Sequence, residues 1–289
     1  MENAFSKVSC PICGSLAASV WVKEGYRIAR CSACRTLFVE DPPPDTTHVY
    51  DESYFFSGER CGGYGSYDEE KEAMRRTFER ALDMVGHEKP RGALLDVGAA
   101  TGYFMHMAKM RGYDVSGIDI SAAATKSARE KGLEVQVGTL ETVVYPPEAF
   151  DAVTMFDVLE HVSSPKMLLR QVHALLKPSG VVFGSTPDSG SVNARLMGKR
   201  WHMLLPPEHL VLMNDKSLRL ALKKEGFETL WTGRLTKRFS APYILQTASR
   251  WLKIPLLARI GSSIRGTWLA KIAIPLDLRD NLFFLARKI

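Results

Sequence analysis

Residues Leu94–Phe104 read LLDVGAATGYF: an apolar run through Asp96 and Val97, a turn bounded by Gly98 and Gly102, then the start of a helical pattern. Glycines in such a turn let the backbone approach a ligand closely, and a helix N-terminus favours anionic or polar groups. A dinucleotide fold wants G-x-G-x-x-G, whose second glycine makes room for a pyrophosphate. Here Ala100 stands in the middle position. The stretch therefore predicts a strand, a tight turn and a helix while arguing against a pyrophosphate ligand. Taken alone, a plain strand-to-helix turn is the competing reading.

Working outward, Asp119 ends the next strand, 21 positions after Gly98, about where a carboxylate grips ribose hydroxyls. Asp96 precedes the loop and can hold its turn or reach a cationic ligand. From Gly92 onward, strand patterns alternate with helices: ALLDV, YDVSGIDI, LEVQVG, FDAVTMFD, GVVFGST, FETLWT and NLFFLARK, with helices from near Tyr103, Ala122, Pro165 and Lys216. This alternation predicts an α/β fold with a mostly parallel sheet covered on both faces. Ahead of it, Met74, Phe78, Leu82 and Val85 share one face of a predicted helix ending at Gly86.

Cys10-Pro-Ile-Cys13 and Cys31-Ser-Ala-Cys34 are two C-x-x-C knuckles separated by 17 residues. Two knuckles of this kind complete a tetrahedral four-cysteine site, so Cys10, Cys13, Cys31 and Cys34 are the expected ligands of a structural zinc. Four ligands leave no open position for chemistry, and a module this small needs the metal to fold. Cys61 reads as an ordinary free thiol. The expected organisation is a zinc ribbon over residues 1–40, a linker and cofactor-covering helical segment over 41–91 that begins with DPPPD, and the α/β domain over 92–289.

Several motifs in register resemble the class I S-adenosylmethionine-dependent methyltransferases: LLDVGAATGYF, GIDIS, GTLE, FDAVTMFDVLEHV, LLKPSGVVFGSTP and PPEHLVLM, over roughly residues 50–233. The knuckles and YFFSGERCGGYGSY are similar to a subgroup that carries a zinc ribbon and is associated with saccharides, lipids or other small metabolites. The resemblance implies a Rossmann-like seven-stranded sheet whose last strand, NLFFLARK, runs antiparallel. It implies that Gly98, Ala100, Gly102 and Tyr103 pack near the methionine part of S-adenosylmethionine, with Asp96 near its amino group. Asp119 would hold the ribose hydroxyls, Ile120 and Leu140 the adenine, and Phe156 would lie beneath the cofactor. The family commonly has glycine or cysteine where Ala99 and Ala100 stand, and alanine is small enough to keep the site.

A sulfonium is already a good leaving group, so the protein must align the acceptor, exclude water and, for a hydroxyl acceptor, supply a base. Glu160, His161 and His209 are the candidates, each with hydrogen-bonding structural duty as the competing role. Asp157 contacts substrate or closes its strand. Trp201 and His202 are candidates for an acceptor pocket, and Tyr54, Tyr64 and Tyr67 for a lid. His48, His87, His106 and His173 have no supporting constellation.

Net charge is +6, and residues 233–276 hold eight basic residues and no acidic one, which leaves 30 Lys and Arg against 32 Asp and Glu elsewhere. Within this insert, residues 234–276, Ile244, Ala248 and Trp251 share helical spacing, as do Leu245 and Leu252, with Arg250, Lys253 and Arg259 interspersed. The plainer reading is a helical cover or dimer contact; the alternative is peripheral contact with an anionic membrane and a lipid-linked acceptor. Concentration of charge in one segment argues against nucleic acid. The first residues lack a signal-peptide pattern and no run of 18 apolar residues occurs, so a cytoplasmic protein is the expectation, with a membrane-peripheral one as the alternative. O-methylation of a small-molecule, saccharide or lipid-linked acceptor is the favoured activity. RNA or protein methylation with the ribbon as reader, a non-catalytic cofactor-binding module, and a nicotinamide oxidoreductase are the rivals.

Overall fold

The computed structural model describes residues 8–44, 67–265, 267–275 and 279–289, apart from the side chains of 69, 250–252 and 271. His48, Tyr54, Cys61 and Tyr64 lie outside the described residues, as do the side chains of Arg250, Trp251, Leu252 and Lys271. The chain opens with four short strands, β1 (Val8–Ser9), β2 (Leu16–Lys23), β3 (Tyr26–Cys31) and β4 (Leu37–Val39). Helices α1 (Tyr67–Ala73) and α2 (Arg75–Glu88) follow. Alternation then begins with β5 (Gly92–Val97), α3 (Tyr103–Met110), β6 (Tyr113–Asp119), α4 (Ala122–Glu130) and β7 (Glu134–Val137). It continues through β8 (Phe150–Phe156), α5 (Pro165–Leu175), β9 (Leu176–Pro187), α6 (Val192–Met197), β10 (Val211–Leu212), α7 (Asp215–Lys224) and β11 (Phe227–Gly233). The insert contains β12 (Arg238–Ser240), α8 (Ala241–Leu252), α9 (Pro255–Ser263) and β13 (Ala273–Pro275), and β14 (Asn281–Lys288) closes the chain.

The main sheet has seven strands in the order β11-β14-β9-β8-β5-β6-β7. Strands β6, β7, β8 and β9 run parallel with β5 through their neighbours, whereas β14 pairs antiparallel with both β9 and β11. The last strand is thus antiparallel, as the resemblance implies. Strand order reverses between β5 and β8, which opens a crevice at their carboxyl ends. Alternation along β5 divides the core: Leu95 and Val97 join the layer with α5 and α7, and Leu94 joins the layer with α2 and α3.

Local chemistry sets the element ends. Ser121, Ser164 and Asn214 each accept a hydrogen bond from the third backbone N–H of the helix they cap. Two boundaries differ from the expectation. Helix α2 runs through Gly86 to Glu88, closed by the Lys89 N–H on the Val85 carbonyl. Strand β9 starts at Leu176, ahead of the expected Gly180, because Leu176 already pairs with Phe150 before an irregularity restores register at Val181 and Ala152.

The N-terminal strands share their sheet with a later part of the chain, in the order β1-β2-β3-β4-β10. Strand β10 pairs antiparallel with β4, Val211 opposite Phe38 and Leu212 opposite Leu37. Asn214 Nδ2 donates to the Cys34 carbonyl at 2.9 Å, so the helix α7 cap also ties down the second knuckle. Cys10, Ile12, Ile28 and Phe38 lie in one buried cluster with Leu95 and Leu210.

The insert does lie between β11 and β14, and β12 pairs with β13 to close its base, an addition that the helical reading did not include. Helix α9 packs on α8 through Gly261, where a side-chain carbon would come within 3.1 Å of the Pro242 carbonyl oxygen. The opposite stripe of α9, Leu256, Arg259, Ile260 and Ser263, is exposed. No helix among the described residues is long and apolar enough to cross a membrane.

Candidate active site

The loop after β5 carries three residues with positive φ: Gly98 at 76°, Ala100 at 49° and Gly102 at 78°. At Gly98 a side-chain carbon would come within 2.7 Å of Val158, so a glycine is needed for the loop to pass. Gly102 serves packing: a side-chain carbon there would fall 2.3 Å from Leu133. Ala100 holds its left-handed conformation because its N–H donates to Asp119 Oδ2 at 2.8 Å. Asp119 Oδ1 accepts from the Ser121 N–H at 2.8 Å. Each carboxylate oxygen retains a second lone pair. Burial raises the Asp119 carboxyl above its ordinary value, opposed by these two N–H donors.

A cavity of about 370 Å³ lies over this loop at the carboxyl ends of β5, β6 and β8. Gly98, Ala100, Asp119, Ile120, Leu140 and Phe156 line it, six of the expected cofactor residues brought together from four separate motifs. Asp96, Gly102 and Tyr103 do not line it. Asp96 is buried beneath the loop, where Thr154 Oγ1 donates to its Oδ1 at 2.6 Å, and burial pushes its carboxyl up to about 7. The Tyr103 hydroxyl turns away to donate to Glu72 at 2.5 Å. Phe156 is fixed from behind by Phe78, Phe104 and Phe183, with ring centroids 4.7 to 5.7 Å away. Tyr67, the described member of the expected lid, lines the cavity and packs against Ala100 and Ala124.

Asp157 also lines the cavity, in a left-handed conformation with φ 54°. Ser185 Oγ donates to its Oδ1 at 2.7 Å, and the Lys237 ammonium reaches both oxygens, at 2.8 and 3.1 Å. Burial opposes ionisation of Asp157, yet the charge and hydrogen bonds of Lys237, with Ser185, outweigh it and hold the carboxyl below its ordinary value. Sequence reasoning counted Lys237 only as part of the insert's charge. Its position directly after β11, ahead of the insert's helices, was the available signal.

Glu160, His161 and His209 come together behind the same wall, one ligand atom from each within 4.8 Å of the others. Only His161 reaches the cavity. Its Nδ1 donates to the Glu208 carbonyl at 2.9 Å, and His209 Nδ1 donates to the Met203 carbonyl at 2.6 Å. A carbonyl only accepts, so both rings carry their proton on Nδ1 and their lone pair on Nε2. The rings meet edge-to-face with centroids 4.8 Å apart. Burial lowers the basicity of both imidazoles and, with His161 adjacent, pushes His209 down to about 3. Glu160 is fully buried; Thr186 Oγ1 donates to its Oε2 at 3.0 Å, and Oε1 has no hydrogen-bond partner among the described residues.

Trp201 and His202 do not line the cavity, contrary to the expectation of an acceptor pocket. Trp201 is buried with Nε1 donating to Asp280 Oδ2 at 3.1 Å, and His202 Nε2 lies 3.3 Å from the same oxygen. Both therefore anchor the connection after β9 to the residue before β14.

The four cysteine sulfurs lie within 4.8 Å of one another, with Cys10 and Cys34 3.5 Å apart and Cys13 and Cys31 3.3 Å apart. A tetrahedral zinc with bonds of about 2.3 Å spaces its sulfurs by about 3.8 Å, close to this arrangement. The Ile12 and Cys34 N–H groups point at Cys10 Sγ and Cys31 Sγ, each at 3.4 Å, as they do where thiolate charge needs support.

The family described as "Methyltransferase domain" matches residues 67–231. A malonyl-[acyl-carrier protein] O-methyltransferase of Serratia marcescens is 30% identical over 148 residues, which cover 50% of this chain and 57% of that protein. A ubiquinone biosynthesis O-methyltransferase of Stutzerimonas stutzeri is 37% identical over 100 residues, 32% of this chain and 43% of that one. The chain spans about half the length of the curated relatives it matches. Among solved structures, an S-adenosylmethionine-dependent methyltransferase from Mesorhizobium loti aligns with a TM-score of 0.50 at 21% identity, over 72% of this chain and 96% of that one.

Proposed function

This chain belongs to the class I S-adenosylmethionine-dependent methyltransferases, and from that premise we propose that it methylates an oxygen of a small-molecule or lipid-linked acceptor. The observation that carries the reading is the convergence of Gly98, Ala100, Asp119, Ile120 and Leu140 on one cavity that His161 also lines. The residues fit the cofactor: the loop lacks room made for a pyrophosphate, the Asp119 oxygens have lone pairs left for two hydroxyls, and Ile120 with Leu140 offer apolar surface to a base. When bound, S-adenosylmethionine supplies an electrophilic methyl group on a sulfonium.

The chain's own contribution is orientation, exclusion of water and proton handling. Asp119 would bind the ribose hydroxyls, and Phe156, locked among three other aromatic rings, would set the floor. Asp157 stays ionised against Lys237 and presents a fixed acceptor to a donor group of the incoming substrate. His161 borders the acceptor side with a lone pair on Nε2, which suits uptake of a hydroxyl proton. The two O-methyltransferase relatives support oxygen as the target atom. Cys10, Cys13, Cys31 and Cys34 would hold a structural zinc that braces β4 and, through it, β10.

A lipid-linked acceptor is favoured by one further observation. The exposed stripe of α9 joins Leu256, 60% exposed, and Ile260, 42% exposed, to Arg259, in a segment without acidic residues. An apolar stripe with basic flanks is the composition of a helix lying in an anionic interface.

Calorimetric titration with S-adenosylmethionine and with NAD tests the cofactor; binding of NAD alone would overturn the reading. Incubation with methyl-labelled cofactor and separated polar and lipid extracts then identifies the acceptor class. Flotation with anionic liposomes that is unchanged in Arg259→Gln, Leu256→Gln protein would remove the membrane reading and leave a soluble acceptor.

A further inference from the structure

Helix α1 stands between the cavity and the insert, and named contacts fasten it to both. Tyr67 and Lys71, one turn apart, line the cavity, and the Lys71 ammonium lies 4.6 Å from the centre of the Tyr67 ring. Tyr67 packs against Ala100 and Ala124. Asp68 accepts from Thr101 Oγ1 and from Lys131 Nζ, each at 2.5 Å, which pins this end of the helix to the loop after β5. Glu70 does not line the cavity and reaches the insert instead. It is buried, Ser240 Oγ donates to its Oε1 at 2.5 Å, and the Ser240 N–H points at Oε2 from 3.4 Å. Burial raises the Glu70 carboxyl above its ordinary value, opposed by both Ser240 donors and by the charges of Arg265 and Lys71.

Ser240 has a second duty. It caps α8, where its Oγ accepts from the Tyr243 N–H at 3.2 Å. Its single hydroxyl proton is committed to Glu70, which leaves a lone pair for the helix and sets a buried carboxyl beside the positive end of α8. Two neighbouring residues strengthen the junction. The Thr236 carbonyl accepts from Thr77 Oγ1 at 2.7 Å, and Lys237 pairs with Asp157 at 2.8 Å. We propose that Glu70 is a positioning residue that couples the insert to the cavity, acting through Tyr67 and Lys71 of its own helix. A shift of α8 pulls on Glu70, and with it the part of the cavity wall that α1 supplies. A ligand seated against Tyr67 and Lys71 stiffens the start of α8 in return, because coupling between two sites is reciprocal. Identifying that ligand as S-adenosylmethionine rests on the methyltransferase reading. The link between Glu70 and Ser240 does not.

Hydrogen exchange of the full-length protein, read by mass spectrometry with and without S-adenosylmethionine, tests the coupling alongside calorimetry. The cofactor is expected to slow exchange about fivefold or more in residues 243–249 as well as in residues 70–73. Glu70→Gln and Ser240→Ala should each raise its Kd about fivefold or more and abolish the slowing in 243–249 while keeping it in 70–73. Both changes cut one link, so the double variant should bind no more weakly than the poorer single variant. The wild-type comparison needs no variant, and circular dichroism identifies any variant that fails to fold. Exchange in 243–249 that ignores bound cofactor in the wild type, or unchanged affinity in a folded variant, overturns the proposal. Wild-type protein that binds no S-adenosylmethionine removes the methyltransferase reading, and the ligand-free samples then decide the link. Glu70→Gln should speed exchange in 243–249 and Ser240→Ala in 70–73, each across the junction; faster exchange confined to the altered side overturns it.

Discussion

The Ala100 N–H and Asp119 Oδ2, 2.8 Å apart, latch the turn after β5 to the end of β6. The latch makes a non-glycine residue tolerable at φ 49°, and it orients the carboxylate whose remaining lone pairs face the cavity. Asp119→Ala is expected to weaken S-adenosylmethionine binding by about 10- to 100-fold, the range for lost hydrogen bonds to a charged group. Ala100→Val adds a branched side chain at a left-handed position and should destabilise the fold by about 1–3 kcal/mol while abolishing cofactor binding. Calorimetry and thermal unfolding check both; a valine variant with normal stability and affinity would show that the loop adopts another conformation.

Lys237 and Asp157 join the insert to the cavity wall. Removing the cation in Lys237→Met leaves the carboxylate with Ser185 and the charge of Lys71 to support it, an expected loss of about 1–3 kcal/mol after discounting for the partial exposure of Asp157. Because the pairing lowers the Asp157 carboxyl below its ordinary 3.8, its stabilisation is present above that pH and is lost as pH falls through the folded value. The variant's deficit should therefore be full at neutral pH and shrink on acidification below about 4. Urea unfolding at pH 7 and pH 3 measures it.

Asp96 works in the opposite sense. Burial pushes it up from 3.8 to about 7, so between these values the native state holds a proton that the unfolded chain has released. Its contribution to stability is complete below about 4 and declines as pH rises to about 7. Asp96→Asn removes that decline. The midpoint difference between variant and wild type should shift in the variant's favour from pH 4 to pH 8, and a constant difference would contradict the burial argument.

Metal analysis of purified protein is expected to give one zinc per chain held by the cysteines, lost in Cys31→Ser. Loss should lower the midpoint of the whole molecule, because β4 is hydrogen-bonded to β10. Two well-separated unfolding transitions in the variant would show that the cysteine module stands apart.

Most of the main sheet was legible because each of its strands carries an apolar run and turn residues separate them. The loop and Asp119 were legible because the hydrogen bond between the Ala100 N–H and Asp119 ties the turn to the end of β6 at a fixed spacing. Other features depend on contacts between distant segments, which no local pattern encodes. Nothing in Val211–Leu212 announces that it extends the ribbon's sheet, and the basic insert gave no sign that Lys237 turns inward. Gly102 reads as a ligand-loop glycine yet is demanded by Leu133, and Asp96 reads as a ligand contact yet is covered by its own loop. The fold brings His161 and His209 to Glu160, three candidates drawn from two separate motifs. Which of the three would reach the cavity depended on the path of the Glu208–Leu210 backbone.

Pairing of β10 with β4 also bears on how this chain can be divided. The matched family region begins at Tyr67, and a shortened chain starting there would strip the partner from β10. It would leave an uncovered strand edge beside the apolar surface that Ile12, Ile28 and Phe38 now occupy. Exposed edges of this kind recruit other chains. The short variant should therefore self-associate, and the N-terminal cysteine strands act as an intramolecular chaperone for the sheet edge they cover.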